Sequence, residues 1–163
     1  SNLASTILKD QQKSISFLNA GLISHPYDPQ LINNLAYALA LDDKPEEAFE
    51  QLNKIRNEED YDNVTKICLS ATRGLSYFRS GFADIGRQFY IDAIEQTKQI
   101  KNKELNWIAI LNYAREEIRL KSENVDSLMD IVSKIPNDTK DFEISALKKD
   151  VIELHNKMKN EPK

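Results

Sequence analysis

Cysteine occurs once in these 163 residues, at Cys68, so no disulfide can form within the chain. That excludes the small folds that depend on disulfide staples. Glycine occurs four times and proline five times, too few for a turn-rich β domain or a Pro/Gly-rich disordered chain. There are two histidines, His25 and His155, far apart in the sequence. Neither has a second ligand at metal-binding spacing. The longest apolar run, Leu35–Leu41, has seven residues, against the roughly 20 that a membrane-spanning helix needs. There is no excess of positive charge: 22 Lys and Arg face 26 Asp and Glu, for a net charge of -4. Broad nucleic-acid binding, which needs a basic face, is therefore not expected. A glycine-rich phosphate loop, a nucleophile elbow and zinc-ligand spacing are also missing.

What remains is a chain with 40% hydrophobic and 29% charged residues. That composition fits one soluble domain, long enough to bury roughly two-thirds of its unfolded surface. Its organising stretch is Asn33–Ile55, two apolar-periodic segments separated by the polar break Asp42–Lys44. Ile32, Leu35, Ala36 and Leu39 fall at i, i+3, i+4 and i+7, one face of an amphipathic helix. Asp28 can cap that helix, with Pro29 in its first turn. Ala48, Leu52 and Ile55 form the second stripe. Asp43 or its neighbour can cap this second helix. Pro45 suits its first turn, and Glu46 and Glu47 favour its dipole. So short a break forces the two helices antiparallel. Neither hides its stripe alone, so neighbours must stack on it.

The flanking sequence continues the pattern. Leu3, Ile7, Leu8, Ile15, Leu18 and Leu22 repeat at a helical period, as one long helix or two with a bend near Lys9-Asp10. His25-Pro26 ends that segment. Ser14, Leu18 and Gly21 lie thirty-four residues before Ala48, Leu52 and Ile55, the first sign of a repeat. After the connector Asn57–Asp62, helices are expected to about Arg79 and over Phe82–Gln99. A third pair is expected from about Asn102 to Leu120 and, capped by Ser122, along the stripe Val125, Leu128, Met129, Val132 and Ile135. A last helix, 138–159, carries the narrow stripe Ile144, Leu147, Val151, Leu154 and Met158. Its other faces are charged, as the end of a stacked array requires. Ser1-Asn2 reads as a remnant of tag cleavage, so the chain is expected to be a piece of a larger protein.

These features resemble the tetratricopeptide repeat family. The likeness rests on Leu35, Ala36 and Ala48, and on the series Gly74, Tyr77, Gly81, Gly86, Tyr90 and Ala93, with Trp107 where the family often has Trp. Small residues at helix crossings and aromatics beside them suit closely packed helices. Ser70 and Arg73 depart from the pattern, since the family has bulky apolar residues there. The resemblance implies an all-α, right-handed stack of antiparallel helix pairs: one domain over residues 1–163, about three pairs plus the terminal helix. It also implies a non-catalytic protein–protein interaction scaffold whose first helices line a concave groove for a peptide or helix of a partner. Mapped onto this chain, the groove carries Asn33, Asn34, Tyr37, Leu75, Phe78, Arg79, Ile108, Asn112 and Arg115. The family's chaperone-binding subgroup pairs Lys with Asn to hold a peptide carboxylate. The matching lysines are not found here, so that ligand class is not expected. Val64, Ile67, Ala71, Leu75 and Phe78 also form a stripe of their own, which would place Leu75 and Phe78 in the core instead.

No catalytic residue, metal site or cofactor is expected. Cys68 lies in an apolar helical pattern and reads as a packing residue. The adjacent carboxylates Asp42-Asp43, Glu46-Glu47, Glu58-Glu59 and Glu116-Glu117 point about 100° apart wherever they are helical, and so do not converge. A regulatory or structural segment of a larger enzyme is the alternative reading, as is a self-association module. The latter would form a homodimer through the N-terminal helix, which lacks the preceding partner that a repeat implies. The single cysteine leaves the compartment open, with a cytoplasmic one favoured.

Overall fold

A computed structural model describes residues 2–162 of the chain, with side chains from residue 10 onward. Ser1 and the side chains of Leu3, Ile7 and Leu8, on which the sequence raised expectations, lie outside the described residues. The protein is all-α. Among the described residues eight α-helices follow one another: α1 Asn2–Ser24, α2 Pro29–Leu41, α3 Pro45–Leu52, α4 Asn63–Arg79, α5 Ala83–Gln99, α6 Lys103–Leu120, α7 Val125–Ser133 and α8 Phe142–Lys159. A single 3-10 turn, Glu58–Asp60, interrupts the α3–α4 connector, and the described residues include no strand. The chain divides into two compact units, 1–89 and 90–163, with the division inside α5.

In the first unit α2 packs against α1, α3 and α4, and α3 packs against α4. The α2 stripe is the reason: Ile32, Leu35, Ala36 and Leu39 are all buried, and so are Ala48 and Leu52 of α3. Residues 14–24 continue one unbroken helix, so α1 has no bend near Lys9-Asp10. At Gly21 a Cβ would meet the Leu31 side chain at ordinary contact distance, 3.4 Å. Asp28 caps α2 as its position suggests, accepting from the N–H groups of Gln30 and Leu31 at 2.9 and 3.1 Å. Asp43 does not cap α3. It takes a left-handed backbone at φ 57° and ends α2 instead, leaving Lys44 to precede α3 without a side-chain cap. Ile55 lies beyond the end of α3.

The α4–α5 crossing in this unit is very close. A Cβ on Gly86 would stand 2.6 Å from the Gly74 carbonyl oxygen and 2.7 Å from the Phe78 ring. Beside it the Tyr77 ring stacks on Phe89 at 5.5 Å and meets Phe49 edge-on at 4.9 Å.

The second unit is organised on α6, which packs against α7 and α8. Ala109, Ile110, Leu111, Ala114 and Ile118 of α6 are buried, with Leu128 and Val132 of α7 and Ile144 and Val151 of α8. Tyr90 stacks on Tyr113 at 5.5 Å. The helix α8 starts at Phe142 rather than 138. The reason is Asp141, whose carboxylate accepts from the N–H groups of Glu143 and Ile144 and fixes the first turn there. Residues 135–141 become a connector held to α8 by side chains. Lys148, buried, donates to the Ile135 carbonyl and to Asn137 Oδ1. Ser145 Oγ and Thr139 Oγ1 lie 2.8 Å apart. Ser122 does not cap α7 directly; Asn124 occupies that position, with its own N–H bonded to the Ser122 hydroxyl.

Helix ends in both units share one device. After α2, α4, α5 and α6 the chain enters the left-handed region at Asp43, Gly81, Lys101 and Lys121. The next N–H then turns back five residues: Lys44 to Leu39, Phe82 to Tyr77, Asn102 to Thr97 and Ser122 to Glu117, at 2.9 to 3.2 Å. This Schellman closure satisfies carbonyls that the helix end would otherwise orphan.

Candidate functional site

The nine groove residues divide between the units: Asn33, Asn34, Tyr37, Leu75, Phe78 and Arg79 in the first, Ile108, Asn112 and Arg115 in the second. Leu75 is fully buried and Phe78 is 6% exposed. Both are interior side chains, as the stripe Ile67, Ala71, Leu75, Phe78 allows; Val64, the first member of that stripe, is exposed. Arg79 is spoken for within the fold. Its side chain is 5% exposed, and it donates to the Leu41 carbonyl at 3.2 Å and to Asp43 Oδ1 at 2.8 Å. A guanidinium there satisfies the carbonyl end of α2 and its dipole. It also holds the strained Asp43 in place.

On α2 a polar face remains. Asn34 is exposed, and Asn33 and Tyr37 are half-buried. The Asn33 Oδ1 atom is buried and has no hydrogen-bond partner among the described residues. A buried acceptor left unpaired is costly, but this oxygen is buried and is not itself presented to a ligand.

In the second unit Ile108 is half-buried. Asn112 is buried and folds onto its own helix, donating to the Ile108 carbonyl at 2.9 Å. Arg115 pairs with Glu116 at 2.8 Å. Trp107 is half-buried, with the Lys103 ammonium 5.1 Å from its ring centre.

Two polar features went unread in the sequence. Glu116 and Glu117 are buried, at 2% and 0% exposure. They serve separate partners, as their angular separation on a helix requires. Glu117 Oε2 accepts from the Tyr113 hydroxyl at 2.9 Å and from Asn124 Nδ2 at 2.6 Å. It thereby ties the last turn of α6 to the start of α7. Tyr113, one helical turn before Glu117, was the available signal. The second feature is the fork between Arg73 and Glu58, at 2.8 and 2.7 Å. Arg73 thus anchors the α3–α4 connector. Tyr61 bonds the Arg56 carbonyl in the same connector, and the Arg56 guanidinium lies 4.5 Å from the ring centre of Tyr27.

The chemistry available is modest. Burial pushes the Cys68 thiol up, aided by the charge of Asp62, away from a reactive thiolate. Burial pulls His155 down, with the charge of Lys159 acting the same way and Asp126 opposing. Among the described residues no three His, Cys, Asp or Glu side chains are grouped to hold a metal ion. None of their helices is long and apolar enough to cross a membrane. One hollow of about 340 Å³ is lined by Gly81–Ile85. Another, of about 270 Å³, is lined by Thr97, Lys98, Lys101, Asn102, Lys103 and Asn106. Neither includes a predicted groove residue. No family model, no curated protein and no solved structure matches this chain.

Proposed function

We propose that the chain is a non-catalytic scaffold of tetratricopeptide-like helix pairs that binds a peptide or helix of a partner protein. The observation that carries this reading is the neighbour relation of α2. It packs on its own partner α3, on the preceding helix α1 and on α4, the first helix of the next pair. A stacked array of helix pairs requires those contacts. In the second unit α6 repeats part of the relation, packing on α7 and on α8. The binding face is the α2 surface of Asn33, Asn34 and Tyr37. It offers Tyr37 as an aromatic anchor beside the side-chain amides of Asn33 and Asn34. Leu75 and Phe78, being interior, are left out of that face.

Selection from a displayed peptide library against the full chain tests this. Selected peptides should lose about tenfold or more in affinity for Tyr37→Ala and Asn33→Ala. Asn156→Ala, on the exposed face of α8, should bind unchanged. Equal binding by all three variants would overturn the reading.

A second reading, self-association through α1, is favoured by Phe17 and Ile23, which are 78% and 85% exposed. Large apolar side chains left exposed on one helix are surface that a second copy would cover. Light scattering over a concentration series distinguishes it: a monomer throughout removes this reading and leaves the first intact.

A further inference from the structure

We draw no further inference here: the strongest candidate, the basic hollow at the start of α6 lined by Lys98, Lys101 and Lys103 with Asn102 and Asn106, rests on a helix N-terminus and surface lysines whose cap, the Asn102 side chain, is already engaged by the Leu105 N–H, with no second observation that points to a ligand.

Discussion

Gly86 and Lys101 show the same physical rule from opposite sides. Within a helix, Gly→Ala ordinarily gains about 1 kcal/mol, because glycine surrenders more backbone entropy on folding. At Gly86 the added methyl would meet the Gly74 carbonyl at 2.6 Å and the Phe78 backbone nitrogen at 3.0 Å. Backbone atoms cannot step aside as a flexible side chain can. Gly86→Ala should therefore destabilise the protein by about 1–3 kcal/mol, the usual cost of overpacking. A urea midpoint at or above wild type would show that the α4–α5 crossing has slack. Lys101 is the converse case. It holds φ 55°, a region that costs an L-residue about 1–2 kcal/mol and glycine almost nothing. Its side chain is exposed, so little packing is lost on removal. Lys101→Gly should raise stability by about 1 kcal/mol, read as an increase in the urea midpoint with an unchanged slope. A fall would mean that the lysine side chain contributes more than its backbone strain removes.

At the scale of elements, the sequence marks a helix start where the first turn carries its own chemistry, and misplaces it at α8, expected from 138 and found at Phe142. Asp28 and Asp62 carry their own acceptors to the first turn, and Pro29 and Pro45 pre-set the backbone. Helix ends fall where the apolar periodicity gives out, at Leu41, Arg79, Gln99 and Leu120, but the chemistry that closes them is less legible. Of the four Schellman closures only one uses glycine, Gly81, and the others place Asp43, Lys101 and Lys121 where no residue type announces them. Side-chain fates are least legible of all. Arg79 looks like a groove residue by register, yet it caps α2 across thirty-eight residues, a tertiary choice that no local pattern encodes. The face of α2 was readable because its period is set by one helix alone. Burial of Leu75 and Phe78 depends on what packs over α4, so two registers stayed open.

The α3–α4 connector gives a prediction at this same scale. The hydrogen bonds from Arg73 hold the Glu58 carboxyl below its ordinary value of about 4.5; burial opposes, and the charges of Arg73 and Lys66 reinforce the lowering. A depressed carboxylate adds stability that is present above the unfolded-state pKa and lost as pH falls through the folded one. The stability gap between wild type and Glu58→Gln should therefore be constant from neutral pH down to about 4.5 and then close progressively in acid. The gap itself should be small, because the pair is part-exposed and screened by solvent. Urea midpoints across that pH range read it. A gap that persists undiminished into acid would exclude the ionised Glu58–Arg73 fork as its source.

At the scale of the whole molecule the question is whether the two compact units fold as one. Helix α5 runs unbroken from Ala83 to Gln99, through the division between residues 89 and 90. Ending a helix at that point would orphan carbonyl groups on one side and N–H groups on the other. Helix propagation is cooperative, so unfolding on one side of the division should be felt on the other. The chain carries its own probe. Trp107 is the only tryptophan, and it lies in the second unit, whereas far-UV circular dichroism reports helix in both. Leu75, fully buried, lies in the first, and Leu75→Ala should cost about 2–5 kcal/mol through the cavity it leaves. If the shared helix couples the units, that substitution lowers the Trp107 fluorescence midpoint and the circular dichroism midpoint together. Should fluorescence keep its wild-type midpoint while circular dichroism acquires a separate early step, the first unit melts alone. In that case α5 breaks at the division, and each unit would have to be treated as an independently folding body.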